Sequence, residues 1–353
     1  MLAKYACKAR FWVVLDFWNC VLKIFKILRI RQNLAGICTQ AGANQRLTRI
    51  FMWLNRQVSK DFHTEFSVEE KLLDVRSEHI LEVFKSKEFG QIALFDERDI
   101  LFEKFIYIQS ELLAHVGACS LPIASTNSAG AGAISADAGV GAESSVESKG
   151  ANADSSAESI AGAESSALLL GGFNLEIAHE LAKHRMQIDF LQSDEKVLDS
   201  LISFLPHFQE VRASRAFALY SKAIDLPLKK YDLIIHQSIP NAHEIDGLQR
   251  MLSAQGILIA RLPHPYLQEE AFAQILGAFG KFFGIVMPFF APLALFSDQG
   301  FVFASKATHP LADFCLHKCD MLKDLRFYNA DIHQAVFALP SLLAQNLKGV
   351  IKN

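Results

Sequence analysis

Glycine, proline and cysteine are all scarce in this chain, at 19, 10 and 6 of 353 residues. The six cysteines (Cys7, Cys20, Cys38, Cys119, Cys315 and Cys319) are scattered, and only the last two form a CxxxC pair. No second cysteine pair and no histidine-spacing motif completes a zinc site, so no metal is expected. Free thiols of a reducing cytoplasm are the reading. The glycines never form GxGxxG or the Walker pattern GxxxxGK[ST], so no pyrophosphate or triphosphate cradle is evident. A spanning helix needs ~20 predominantly apolar residues. The most apolar stretch, 11–30, is broken by Asp16, Lys23 and Lys26 and has no clear signal-peptide cleavage site. Positive charge is short as well. A net charge of −3 excludes a nucleic-acid binder of the basic-stripe kind.

That average hides an asymmetry. Residues 1–51 hold nine Lys/Arg against Asp16 alone, which leaves −11 for the other 302 residues. The segment reads either as an interfacial helix touching a membrane surface or as translated upstream sequence, with Met52 as the working start. Residues 118–167 change composition again, to Ala, Ser and Gly, with GAESS repeated at 141–145 and 162–166. They lack the aromatic and branched residues needed to offset chain entropy and read as a disordered insertion.

Between and beyond these segments the pattern is ordered. Residues 52–117 read as a small β-strand domain, with alternation at Leu81/Val83 and Ile92/Leu94, followed by a helix over 107–116. From 168 to 353, strands and helices alternate. ALLLGG, MQIDFLQ, YDLIIHQ and GILIARL are strands. LEIAHELAKH, DEKVLDSLISFL, IDGLQRMLSAQ and EEAFAQILGAFGKFF are helices, and FVFASK is a late, antiparallel edge strand. This order predicts an α/β, doubly wound Rossmann-like sheet with its ligand at the carboxyl ends of the first strands. The first loop, GGFN, offers Gly171, Gly172 and Asn174 to a cofactor without phosphates, such as S-adenosylmethionine and its relatives. Gln192 and Asp194 follow the second strand, where ribose hydroxyls are bound in such folds. Asn174 and Asp194 serve equally as helix N-caps.

The segment LRFYNADIHQAVFALP (325–340) closely resembles the (K/R)YYNxxxHxAAFALP segment of the polyamine aminopropyltransferases, the spermidine synthase family. EKLLDVRSEH and VFKSKEFGQIALFD within 70–96, ELLAH (111–115), YDLII, MLSAQGILIA and GFVFASK extend the likeness over about 52–117 and 168–353. It is greatest to the divergent Helicobacter-type form. The resemblance implies a methyltransferase-like fold. It also implies transfer of an aminopropyl group from decarboxylated S-adenosylmethionine, a co-substrate rather than a resident cofactor, to putrescine, by a cytoplasmic homodimer. A methyltransferase or a non-catalytic relative on the same scaffold is the alternative.

Residue by residue, the chemistry departs from the family. GGGDGG is GGFNLE here, so Asn174 replaces the aspartate while Phe173 and Leu175 make a less polar rim. The ribose-binding acid is Gln192. The segment DSSDP, with the catalytic aspartate, becomes HQSIP, placing Gln237 and Ile239/Pro240 there. A Tyr-His pair becomes Gln109-Ser110, leaving Glu111. Glu176, Asp194 and Glu111 are therefore the candidates to replace the lost carboxylate, with Glu195, Glu244 and His236 as further sources of charge. His236 reads either as a structural histidine or as a general base. Intact-mass measurement on the native protein tests the Met52 start; a species retaining Lys4 excludes it.

Overall fold

The computed structural model describes residues 52–122, 165–292 and 300–353. The chain divides into the units Met1–Ile50 and Phe51–Asn353, and the fold described is that of the second unit. The readings of residues 1–51 and of 123–164 lie outside the described residues.

Strands β1 (Met52–Ser59) and β2 (Phe62–Val68) form an antiparallel pair. Strands β3 (Glu70–Arg76), β4 (Ile80–Ser86), β5 (Gly90–Phe95) and β6 (Asp99–Phe102) form an antiparallel meander. Helix α1 (Ile106–Ala118) comes next and is buried on nearly every side. It therefore carries little of the polar/apolar asymmetry of a surface helix.

The second part is a seven-stranded sheet. Its strands are β7 (Ser166–Leu170), β8 (Gln187–Leu191), β9 (Phe217–Tyr220), β10 (Tyr231–His236), β11 (Leu252–Leu262), β12 (Ile285–Phe290) and β13 (Gly300–Ser305). They lie in the order β12-β13-β11-β10-β7-β8-β9. Pairings from β11 through to β9 are parallel, and β13 is antiparallel to both its neighbours. The helices between the strands are α2 (Glu176–Ala182), α3 (Glu195–Asp199), α4 (Phe208–Ala213), α5 (Ala242–Met251) and α6 (Glu269–Phe279). Strand side chains alternate between two cores, as the period of two requires. Ala167, Leu169, Ile235, Ile257 and Ile259 pack on the face of α1 and α2. Leu168, Ile234, Leu258 and Ala260 pack on the face of Ile245 and Leu248 of α5 and Phe272 and Leu276 of α6. Burial of both faces explains why these strands read as unbroken apolar runs. The Rossmann-like class and the preceding β domain are as the sequence predicts.

Several element readings need correction. The helix expected over 194–205 stops at Asp199; Ser200 turns its hydroxyl back onto the Lys196 carbonyl, and turns continue to Pro206. The helix expected over 245–255 is α5, which starts earlier, under an Asn241–Glu244 capping box, and gives way to strand at Leu252. FVFASK is not at the edge. Strand β12, IVMPFF, lies outside it, and Pro288 hides that strand in the sequence. Proline lacks the N–H an interior ladder needs and is tolerated in an edge strand. The outer side of β12 is met by Lys352, whose backbone exchanges two hydrogen bonds with Val286 (2.7 and 3.1 Å).

The segment 325–340 is a packing device. The Tyr328 hydroxyl meets His333 Nδ1 at 2.6 Å, and His333 Nε2 donates to the Pro310 carbonyl at 2.7 Å. Burial holds His333 below the usual histidine pKa, consistent with this neutral tautomer. Glu111 is drawn into the same device. Its carboxylate accepts the backbone N–H groups of Arg326, Phe327 and Tyr328 at 2.9, 2.8 and 2.8 Å and is buried. Three charge-assisted bonds inside a core leave three orphan donors when the acceptor is removed. Glu111→Ala is expected to lower the unfolding free energy by about 3 kcal/mol or more and Glu111→Gln by less, as read by urea denaturation.

Candidate active site

In the seven-stranded sheet the chain direction across the sheet reverses between β7 and β10, and ligands of open α/β sheets bind at such a point. A cleft of ≈ 480 Å³ lies there. Its floor is the carboxyl end of three strands: Gly171, Gly172, Phe173 and Asn174 after β7, Gln192 and Ser193 after β8, and His236, Gln237 and Ser238 at the end of β10. The N-terminal meander supplies the facing wall with His79, Phe95, Asp96, Asp99 and Ile100. Phe173 stacks flat on Phe95 (4.9 Å, 3°) and edge-on against His79 (5.3 Å). It forms the apolar rim expected of it. Leu175 is fully buried and does not reach the cleft.

The floor is held by its own amides. Gln192 Nε2 donates to the Gly172 carbonyl at 2.9 Å, and its Oε1 accepts the Asp194 N–H at 3.0 Å. Gln237 Oε1 accepts the Asn174 N–H at 2.9 Å. The Asn174 side chain accepts the Glu176 N–H (3.2 Å) and donates toward Ser110 and Gln109 (3.1 and 3.3 Å). Gly171 has φ +75°, and a Cβ there would lie 2.7 Å from both His236 Cε1 and Ser238 Oγ. At Gly171 the close approach is therefore to β10, not to a phosphate.

Of the predicted residues, Gly171, Gly172, Asn174 and Gln192 line the cleft, while Asp194, Glu176 and Glu111 do not. Each of these three carboxylates is engaged elsewhere. Asp194 caps α3 at Val197 N–H (3.2 Å) and accepts the His79 N–H (2.9 Å), tying the meander to the second strand's loop. Burial raises its pKa, but these hydrogen bonds outweigh that and hold it below the ordinary carboxylate value. Glu176 accepts the His207 N–H at 2.9 Å and its ring Nδ1 at 2.7 Å. Glu111 holds the 326–328 backbone.

The cleft instead contains His236, whose role the sequence leaves open. Its Nδ1 lies 2.8 Å from the Ser238 carbonyl, which can only accept, so Nδ1 carries the hydrogen. That tautomer leaves the Nε2 lone pair with no hydrogen-bond partner among the described residues. Burial lowers the His236 pKa, more than the Ser238 bond and the Glu244 charge raise it. The ring is therefore a neutral acceptor at pH 7. Gln237 Nε2 is a second open group, a buried donor without a partner among the described residues. The lining carboxylates are otherwise engaged. Asp96 binds His79 Nδ1 and the Ile80 N–H, Asp99 pairs with Arg261, and Glu244 closes the α5 capping box at the mouth. His79 ends the EKLLDVRSEH segment, but its place in the cleft rests on Asp96 and Phe173, distant in sequence.

Comparison with known proteins places the chain. The family model for the spermine/spermidine synthase domain matches residues 155–315, and that for the spermidine synthase tetramerisation domain matches 52–103. The polyamine aminopropyltransferase of Helicobacter pylori (strain G27) is 41% identical over 303 residues, 86% of this chain and 100% of that protein. The Clostridium beijerinckii polyamine aminopropyltransferase is 23% identical, over 85% of this chain and 99% of that one. In fold, the spermidine synthase of Thermotoga maritima is similar with a TM-score of 0.67 at 17% identity, covering 89% of this chain and 98% of its own. The chain belongs to the polyamine aminopropyltransferase, or spermidine synthase, family, and is an enzyme of the aminopropyltransferase class.

The Gly171 approach gives a direct test. Gly171→Ala meets both a left-handed backbone and a 2.7 Å contact, and is expected to lower stability by roughly 1–3 kcal/mol. Thermal and urea unfolding check it. A neutral result would mean that the loop and β10 separate freely.

Proposed function

We propose that this enzyme transfers the aminopropyl group of decarboxylated S-adenosylmethionine to putrescine, giving spermidine and methylthioadenosine, with His236 as the proton acceptor. The observation that carries the reading is the neutral His236 ring, with an open Nε2, in the cleft at the strand reversal of a family member. A spermidine synthase of the same fold has been solved in complex with the transition state analogue AdoDATO. The diamine nitrogen attacks the carbon next to the sulfonium. The carbon–sulfur bond breaks with its electron pair going to sulfur, which leaves as a neutral thioether. The attacking nitrogen sheds one proton, and Nε2 takes it. No acid is needed at sulfur, so the chain's task is alignment and proton removal.

Gly172, Asn174 and Gln192 form the floor against the nucleoside, and the Gln237 Nε2 donor meets an acceptor on it. Glu244, at the mouth, faces the far ammonium with the carboxylate oxygen that its capping bond leaves free. For assembly the reading is a homodimer held through the N-terminal strands. Exposed Trp53, Phe62 and Leu72 on β1, β2 and β3 support a subunit interface, and residues 52–103 match a tetramerisation domain, so light scattering distinguishes dimer from tetramer. No described helix is long and apolar enough to cross a membrane. A cytoplasmic enzyme is our reading, and membrane contact would come only from residues 1–51.

Methylthioadenosine release from decarboxylated S-adenosylmethionine is expected to depend on putrescine. No release with putrescine, cadaverine or spermidine, from folded protein, overturns the proposal. His236→Gln is expected to lower kcat by about 10²–10⁴-fold. The base must be unprotonated, and its folded pKa lies below 6.5, so activity is kept as pH falls to 6.5 and lost only below it. An acid limb that is unchanged in His236→Gln would assign the proton to another group. Glu244→Gln, which keeps the capping acceptor, is expected to raise the KM for putrescine more than it lowers kcat.

A further inference from the structure

Three side chains outside the cleft come together from two helices. His179 projects from α2; His207 and Glu210 sit just before and on α4. One ligand atom from each lies within 4.8 Å of the others. The two imidazole rings stack face to face, 3.7 Å between centroids and 11° apart. His179 Nδ1 is 3.9 Å from Glu210 Oε2.

The orientation of His207 is what separates this group from a chance surface cluster. Glu176, buried, accepts both the His207 backbone N–H and its ring Nδ1. Nδ1 is thereby committed as the donor, and the Nε2 lone pair is left for a ligand. A carboxylate behind a histidine is the arrangement that fixes the ring of a metal-ligating imidazole and raises its basicity. Neither His207 nor Glu210 is sealed in, at 41% and 70% side-chain exposure, so an ion has a path of entry.

We propose that His179, His207 and Glu210 form a binding site for a divalent cation of the zinc type, with Glu176 as the positioning carboxylate. Two imidazole nitrogens and one carboxylate oxygen make a three-ligand set that a water completes to four, which suits zinc. Calcium and magnesium prefer all-oxygen sets. Two nitrogens on one zinc ion stand about 3.3 Å apart for tetrahedral bonds of ~2.0–2.1 Å. The stacked rings, with centroids 3.7 Å apart, bring the two imidazoles to a comparable distance. Ligation keeps His207 on Glu176 and requires the His179 ring to turn about its Cβ–Cγ bond until its lone pair converges on that of His207 Nε2, which gives up the stacking contact. Helix α2 begins just past the Gly171–Gly172 loop, so the ion would brace the helix that carries the cleft's first loop against α4. It takes no part in aminopropyl transfer.

The test uses the full chain without an affinity tag, stripped of metal, titrated with Zn²⁺ and separately with Co²⁺. Expected are a rise in Tm with micromolar Zn²⁺ and the visible d–d bands of tetrahedral Co²⁺ without thiolate charge-transfer absorption. His179→Gln and Glu210→Gln, which leave the Glu176–His207 pair in place, are each expected to abolish those bands. Glu176→Gln is expected to weaken binding by roughly 10–100-fold, with metal-free stability measured alongside. Absence of Co²⁺ bands and of any Zn²⁺-dependent Tm rise overturns the proposal. So does binding that survives His179→Gln and Glu210→Gln, or absorption that shows thiolate ligands.

Discussion

The site depends on a belt of amide hydrogen bonds more than on any charged pair. Gln237 holds the Asn174 backbone, Gln192 joins Gly172 to Asp194, and Asp194 holds the His79 backbone of the facing sheet. These links connect the carboxyl ends of β10, β7 and β8 and the N-terminal meander in series. Each of these bonds contributes only ~1 kcal/mol net, but a buried member left without its partner costs more than that. The belt is therefore cooperative. It fixes the loops before any ligand arrives.

The belt also explains how the cleft differs in character from a carboxylate-lined one. The floor carries Asn174, Gln192 and Gln237, and their side chains bond to backbone groups around the cleft. Amides can donate and accept at once, which a carboxylate cannot. They stabilise the empty cleft without mutual repulsion. The remaining negative charge is at Glu244 and in the pairs of Asp96 and Asp99, while His236 stands on the floor.

Much of the fold was legible because two periodicities are strong in the sequence. Apolar runs such as LIIH and ILIA, between helical patterns, can only be parallel strands covered on both faces. Elements were missed where a local rule yields to position. Pro288 sits in a strand because that strand is outermost, and Phe217–Tyr220 is too short and too weakly buried to stand out. Site residues were legible only in part. Loop membership placed Gly171, Gly172, Asn174 and Gln192 in the cleft. Carboxylates are a different case, since a sequence does not show which backbone N–H groups will claim them. Glu111, Glu176 and Asp194 are claimed by residues 326–328, by 207, and by 79 and 197 respectively. The resemblance to the family supplied the chemistry, and the tautomer of His236 became readable only once Ser238 was seen to present a carbonyl.

The pairing of Lys352 with Val286 has a consequence for solubility. An open sheet exposes two rows of unpaired amides, and either can recruit a strand from another molecule. Here two mutual backbone bonds to residue 352 interrupt the β12 row, and Pro288 removes a donor two residues along. The side of the sheet richest in apolar antiparallel strand is thus made a poor template for growth. Disordering the Lys352 segment would reopen that row. Self-association seeded from this edge would then precede any loss of the cleft end of the sheet, separating colloidal failure from catalytic failure.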